Sequence, residues 1–219
     1  MPTTSATKRV GVFGGTFDPV HLGHLIVAEQ CREQARLDEV WFVPAARPPH
    51  KSGRELTPFS QRVEMLALAL AGNPAFRIDE LENERPGPSY MADTLAELRR
   101  RHPDAELFFI LGADSLNDLP YWHEPRRIVE LAHLLIVDRP GWTMCSEDEL
   151  RRMTRLPADV PLRSQVIHVP LLDNSSSDIR RRVAEGRGIR YLVPRAVEAY
   201  IEDKKLYREE VKGTRLEFA

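Results

Sequence analysis

The chain has 219 residues, 42% of them hydrophobic, which is enough for one compact domain with a real core and too few for two generous ones. Lys and Arg number 31 against 33 Asp and Glu, a formal net charge of -2. That balance argues against a large basic surface built for nucleic acid, whose affinity comes mainly from phosphate neutralisation, and leaves room for local basic clusters that hold small phosphorylated ligands.

Two cysteines, Cys31 and Cys145, with no Cys-x-x-Cys pair, exclude a disulfide scaffold and a four-cysteine zinc site and suit a reducing cytosol. Met1 to Lys8 is polar, and neither it nor any later segment holds an apolar run long enough for a signal peptide or a membrane span. The expectation is a cytoplasmic protein without membrane or nucleic-acid partners.

Taken in chain order, Arg9 to Phe13 is a short apolar run closed by Gly14-Gly15, the pattern of a buried strand. A helix follows from about Leu22 to Arg36, then a strand over Val40 to Val43 ended by Pro44. Ala45 to Leu56 carries Pro48, Pro49 and Gly53 among basic residues and reads as a loop. Thr57-Pro58 supplies an N-cap and a proline for the first helical position, and Phe59, Val63, Leu66 and Leu70 mark one helical face. Phe76 to Leu81 reads as a strand, Tyr90 to Arg101 as a helix with Met91, Leu95 and Leu98 inward, and Glu106 to Leu111 as a strongly buried strand. Pro125 to Leu131 is helical and Leu134 to Val137 extended. Ser146 with Glu149 three positions on forms a capping box for a short helix. Val166 to Val169 is a last strand, and helices from about Ser176 and Pro194 finish the chain.

Strands alternating with helices predict an α/β fold: a single-domain, doubly wound (Rossmann-like) parallel sheet with helices on both faces. The domain is expected to take in residues 1–219, with an ordered core from about 8 to 207 and a C-terminal tail from about 208 to 219. In such sheets ligands sit outside the carboxyl ends of the strands, so unusual residues should follow strands.

They do. Straight after the first strand comes Gly14-Gly15-Thr16-Phe17-Asp18-Pro19-Val20-His21-Leu22-Gly23-His24. The glycine pair lets backbone approach a ligand closely, as a phosphate-binding turn needs. His21 and His24, three apart at a helix start, can project from one face. A polyphosphate there would meet backbone N–H groups, the positive helix end and two imidazoles. The plainer alternative is a tight strand-to-helix connection with histidine caps; His-x-x-His without a nearby third ligand is poor for zinc. Neither Gly-x-Gly-x-x-Gly nor Gly-x-x-x-x-Gly-Lys-Ser/Thr occurs, which weighs against a dehydrogenase and a P-loop NTPase. After the last strand, Asn174-Ser175-Ser176-Ser177-Asp178-Ile179-Arg180 is a hydroxyl-rich turn feeding a helix N-terminus, with a guanidinium one turn in. It suits an anion, or equally an ordinary N-cap with a solvated basic face.

Together the two segments resemble the nucleotidyltransferase superfamily marked by Gly-x-Phe-x-Pro-x-His-x-Gly-His and a late Ile-Ser-Ser-Thr-x-x-Arg. Within it the chain is similar, over nearly its whole length, to bacterial nicotinate-mononucleotide adenylyltransferases. Pro44 with Pro48-Pro49-His50-Lys51 resembles their basic loop, Pro88-Ser89-Tyr90 with Asp93-Thr94-Leu95 their pyridine-side helix start, and Gly112-Ala113-Asp114-Ser115-Leu116 with Trp122 their ribose loop and stacking aromatic; Arg139-Pro140-Gly141 also recurs.

The resemblance implies transfer of AMP from ATP to nicotinate mononucleotide, giving deamido-NAD and pyrophosphate. An enzyme for nicotinamide mononucleotide or for both acceptors, another phosphorylated acceptor, and a nucleotide sensor without catalysis are the alternatives. By the same resemblance His21, His24 and Arg180 are catalytic; Gly14, Gly15, Thr16, Phe17, Gly112, Asp114, Ser176 and Ser177 hold ATP; and Lys51, Tyr90, Met91, Trp122 and His123 hold the mononucleotide. No protein metal site is expected, Mg²⁺ arriving with ATP, and a homodimer remains open. Four positions depart from the family pattern: Asn174 and Ser177 replace Ile and Thr in the late signature, Met91 stands where a threonine is usual, and His123 follows Trp122 where another aromatic is common.

Overall fold

The structure, a computed structural model, describes residues 7–49, 56–138, 146–170 and 173–208. Six parallel strands, β1 (Lys8–Gly15), β2 (Glu39–Pro44), β3 (Phe76–Ile78), β4 (Ala105–Gly112), β5 (His133–Val137) and β6 (Ser164–Ile167), lie in the order β3-β2-β1-β4-β5-β6. The chain winds outward from β1 to one edge, then crosses back to β4 and winds to the other. The point where the order reverses lies between β1 and β4, which is where an open α/β sheet leaves a crevice at its carboxyl ends.

The helices are α1 (Leu22–Gln34), α2 (Phe59–Leu70), α3 (Leu81–Glu84), α4 (Met91–Arg101), α5 (Ala113–Asp118), α6 (Pro125–Leu131), α7 (Glu147–Thr154), α8 (Ser176–Ala184) and α9 (Arg195–Asp203), with a 3-10 turn at Leu119–Tyr121. They cover both faces, and the pleat of the central strands divides the core. Leu107, Phe109 and Leu111 of β4 join Val10, Val12, Leu95, Leu98 and Ile128 on one side. Phe108 and Ile110 join Phe42, Cys31, Met65, Leu66, Ile179 and Val197 on the other. Burial on both faces explains why β2, β4 and β5 read as unbroken apolar runs rather than alternating ones. Cys31 is fully buried in that second cluster, and burial pushes its thiol up to about 12, as befits a small core residue. Among the described residues no helix is long and apolar enough to cross a membrane.

Four local differences from the sequence reading have physical causes. β3 stops at Ile78 because the Asp79 carboxylate accepts from the Leu81 N–H at 3.1 Å, turning the chain into α3. β6 occupies Ser164–Ile167 rather than Val166 to Val169: it is an edge strand whose first three residues are exposed, so hydrophobicity does not mark it. At α2 the cap position falls on Pro58 rather than Thr57, and the Thr57 carbonyl accepts from Arg62 Nε at 2.9 Å. α5 has no counterpart in the sequence reading; it is a helix too short for its periodicity to show, directly after Gly112. The capping box of α7 forms as expected, Ser146 Oγ accepting from the Glu149 N–H while the Glu149 carboxylate accepts from Ser146 N–H at 2.7 Å.

Candidate active site

Gly14 and Gly15 are the last two residues of β1, paired with Val43 and Pro44 of β2 at the carboxyl edge of the sheet. Their missing side chains have distinct uses. A Cβ on Gly14 would collide with the Met91 methyl, and one on Gly15 would lie 2.9 Å from the Phe17 ring. Phe17 takes the left-handed backbone, φ 49°, and is buried, its ring edge-on to Phe13 at 5.7 Å and to the His24 imidazole at 5.1 Å. The strand end, the loop and the first turn of α1 therefore form one packed unit.

His21 is the N-cap of α1 and only 6% exposed. Its ring stacks on His24 at 3.7 Å between centroids and 25° between planes. Gly23 is bare to admit it, since a Cβ there would come within 3.0 Å of His21 Nδ1. The His21 backbone N–H donates to His24 Nδ1 at 3.2 Å. With Nδ1 an acceptor, neutral His24 carries its proton on Nε2, which makes that nitrogen a donor.

The second signature closes onto the first. Ser175 caps α8, its Oγ accepting from the Asp178 N–H at 3.1 Å. Ser176 Oγ donates to the Pro19 carbonyl at 2.9 Å. Arg180 donates from Nη1 to the Asp18 carbonyl at 2.5 Å and from Nη2 to Ser177 Oγ at 3.0 Å. Asn174, the departure from the usual isoleucine, donates from Nδ2 to the Leu192 carbonyl at 2.8 Å, and that same oxygen accepts from the Leu22 N–H at the start of α1. The substitution thus adds a polar tie between the turn before α8 and the start of α1. His21, His24, Arg180 and the first residues of α1 and α8 are brought together around one loop. Its assembled donors are imidazoles, a guanidinium and helix-end N–H groups, a set suited to polyphosphate oxygens.

On the other side of β1, Tyr90 caps α4 and its ring stacks on His123 at 4.3 Å and 27°. Trp122 is half-buried against the sheet, its ring 6.0 Å from Phe109. Arg127 of α6 ties this region to α4, with Nη1 2.8 Å from Glu124 and 3.6 Å from Asp93. Met91 rests its methyl over Gly14 and follows Tyr90, whose ring stacks on His123, while Trp122 packs toward Phe109; of these four residues named from sequence, Met91 is the one that meets the glycine turn. Gly112 ends β4, beside β1, and opens α5. Lys51, the Pro-Pro-His-Lys loop from His50 onward and Arg139-Pro140-Gly141 lie outside the described residues, as does the Asp114 side chain.

Two further histidines pack into the fold, while His168 is largely exposed, 3.4 Å from Asp138. His133 sits 3.1 Å from Glu106, and burial holds its imidazole below the usual histidine range; His102 packs its ring 4.6 Å from Trp41. Missed from sequence were three buried polar groups near the site. Asp18 accepts from Tyr207 Oη at 2.7 Å; Arg62 donates to the Thr16 carbonyl at 2.7 Å; and Glu82 accepts from Thr94 Oγ1 at 2.6 Å. A polar residue inside the apolar spacing of α2 was the available signal for Arg62.

The family model described as cytidylyltransferase-like matches residues 12–182. The chain is 55% identical over 204 residues to a probable nicotinate-nucleotide adenylyltransferase of Thermomicrobium roseum, covering 92% of each chain. It is 49% identical over 200 residues to a protein of the same description from Thermus thermophilus, covering 91% of this chain and 100% of that one. Among solved structures, the nicotinic acid mononucleotide adenylyltransferase of Plasmodium falciparum complexed with NaAD superposes with a TM-score of 0.74 at 21% identity, over 91% of this chain and 97% of that one. That last likeness bears on the fold.

Proposed function

This chain belongs to the cytidylyltransferase-like family, and from that premise we propose that it transfers AMP from ATP to nicotinate mononucleotide, releasing pyrophosphate and forming nicotinate adenine dinucleotide. The relatives' activity, at 55% and 49% identity over nearly whole chains, supports the substrate pair. The observation that carries the chemistry is the joining of the two signatures: Arg180 and Ser176 donate to the Asp18 and Pro19 carbonyls of the loop that leads into His21 and His24. We treat the chain as one nucleotidyltransferase domain working in the cytoplasm.

A 5′-phosphate oxygen of the mononucleotide attacks the α-phosphorus of ATP. The new P–O bond forms as the bond to the β-phosphate bridge breaks, and pyrophosphate leaves with that electron pair. The nucleophile is already an anion, so no general base is required; the protein's work is alignment and stabilisation of moving charge. His21, His24 and Arg180 act on the triphosphate, where charge builds on the leaving group. The backbone from Gly14 to Phe17, the α8 N-terminus at Ser176 and Ser177, and Gly112 with Asp114 hold ATP. Tyr90, Met91, Trp122 and His123 surround the pyridine, with Lys51 near the mononucleotide phosphate.

Nucleotidyl transfer draws on a divalent metal, and Mg²⁺ enters here on ATP. The donors around His21 and Arg180 suit phosphate oxygens rather than a hard dication, so the ion keeps water and substrate ligands. Asp93, His123 and Glu124 lie close enough together to hold a cation, but Arg127 already bridges the two carboxylates. They do not fit Mg²⁺.

The test is pyrophosphate release from ATP and Mg²⁺ with nicotinate mononucleotide and nicotinamide mononucleotide offered separately. Release with the acid form well above the amide form is expected. Comparable rates would move the assignment to a dual-specificity enzyme, and no release with either would overturn it. Met91 gives a second check. Met91→Thr shortens the side chain over Gly14 and adds a hydroxyl, and one new hydrogen bond should raise the acid-to-amide ratio of kcat/KM by roughly tenfold. An unchanged ratio would remove Met91 from the pyridine site.

A further inference from the structure

Behind the glycine turn lies a buried charged group that the reaction scheme leaves unused. Arg62, on α2, is 1% exposed. Nη1 donates to the Thr16 carbonyl at 2.7 Å and Nε to the Thr57 carbonyl at 2.9 Å, while the guanidinium carbon lies 5.3 Å from the Phe59 ring centroid. Burial presses its pKa down, and the charges of Asp18, Tyr207 and Glu82 oppose that. An arginine stays protonated even so. Asp18 is itself 1% exposed and accepts from Tyr207 Oη at 2.7 Å.

A guanidinium is a costly way to fill this space. Buried ion groups are often matched or bettered in stability by apolar residues of similar volume, so what Arg62 contributes is direction rather than net stability. What it directs is the Thr16 carbonyl. The Thr16–Phe17 peptide is trans, and in a trans peptide the C=O and N–H point opposite ways. Drawing the Thr16 oxygen toward α2 therefore turns the Phe17 N–H away from α2. Phe17 also holds a positive φ of 49°, a conformation that needs outside support in a residue with a large side chain. A hydrogen bond from a buried cation to the carbonyl also polarises the peptide, making its N–H a better donor.

We propose that Arg62, braced by Asp18 and Tyr207, is the positioning residue of the phosphate-binding loop, fixing the Thr16–Phe17 peptide so that its N–H serves the ATP phosphates. The inference rests on the adenylyl-transfer reading for its turnover consequences, but ATP binding tests it independently. The loop carbonyls of Thr16, Asp18 and Pro19 are then held by three side chains from two directions: Arg62 of α2 on the first, Arg180 and Ser176 of α8 on the others.

The experiment compares Arg62→Met, Arg62→Lys and Tyr207→Phe in the full chain, with thermal unfolding as the folding control. Magnesium ATP affinity is measured by calorimetry, and KM for each substrate in turnover. A misaimed loop should weaken ATP binding and raise its KM about tenfold or more in Arg62→Met, while the KM for nicotinate mononucleotide stays within about twofold. Lysine keeps the charge but cannot fork between two carbonyls, so Arg62→Lys should recover only part of the affinity. Tyr207→Phe, which loses one hydroxyl near the chain's end, should fold and shift ATP affinity by a few-fold. If Arg62→Met does not fold, the lysine and phenylalanine variants decide. ATP affinity unchanged in the folded variants, or KM values for both substrates rising alike, overturns the inference. The expected effects on ATP binding in a protein that turns over neither mononucleotide would instead overturn the acceptor assignment and leave the positioning role standing.

Discussion

Replacing His21 by alanine is expected to lower kcat for dinucleotide formation by roughly 10²–10³-fold, the loss typical of removing one preorganised donor from developing negative charge. The geometry explains why so small a change should weigh so much. His21 is almost wholly buried, clamped face to face on His24 at 3.7 Å, and seated where Gly23 has no side chain to displace it. A ring held this way does not reorganise as the bond to pyrophosphate breaks. Water filling the vacated space would have to. Stability should fall far less. The ring's contacts are worth on the order of 1 kcal/mol, which corresponds to about 2–4 °C in Tm for a chain of this size. Steady-state kinetics beside a melting curve separate the two effects. A folded variant with kcat within about threefold of the parent would remove His21 from the catalytic set.

The parts of the site legible in the sequence are those whose residues are neighbours in the chain. Gly14 to His24 carries a strand end, a tight turn and a helix start, and Asn174 to Arg180 a turn and a helix start. The apolar runs mark the buried middles of β1 and β4, whereas β1 continues past its run through Gly14 and Gly15, which pair with β2. The ties that lock the loop were not legible, since they join residues far apart: Arg62 to Thr16 across 46 positions, Arg180 to Asp18 across 162, and Tyr207 to Asp18 across 189. No periodicity encodes such pairs. Arg62 in particular occupies a slot that spacing assigns to a core face, and only the fold reveals which carbonyl it meets. The edge strand β6 escaped for the opposite reason, because exposed Ser164 and Gln165 owe their extended form to pairing with β5 rather than to their own character.

The Asn174 departure shows how a signature can drift while its geometry holds. An isoleucine there would pack; the asparagine instead donates to the Leu192 carbonyl, already the acceptor for the first N–H of α1. That tie holds the turn before α8 toward the α1 start. Ser176 Oγ gives its proton to the Pro19 carbonyl, whereas Ser177 Oγ accepts from Arg180 and keeps its O–H as a donor beside the backbone N–H groups and the guanidinium. Ser177 for threonine then costs a methyl and no donor.

That division of labour makes Arg180 the second residue whose loss should be severe. Arg180→Ala is expected to reduce kcat by about 10²–10³-fold through the missing charge on the leaving group, with a further rise in the KM for ATP. The guanidinium has two tasks at once. Its Nη1 holds the Asp18 carbonyl and its Nη2 the Ser177 hydroxyl, while its remaining N–H groups stay available to a phosphate. Arg180→Lys should therefore recover only a minor part of the loss. An ammonium can take the phosphate or the carbonyl, but its single point of charge cannot span both as the planar fork does. The fold should tolerate either change, because α8 is anchored by fully buried Ile179 and capped by Ser175, neither of which depends on Arg180. Single-turnover measurements at saturating ATP isolate the chemical step from binding. If Arg180→Lys restores the parent rate, charge alone suffices and the fork is irrelevant. If Arg180→Ala keeps that rate, the late signature serves only to cap α8, and the triphosphate is held by the first signature alone.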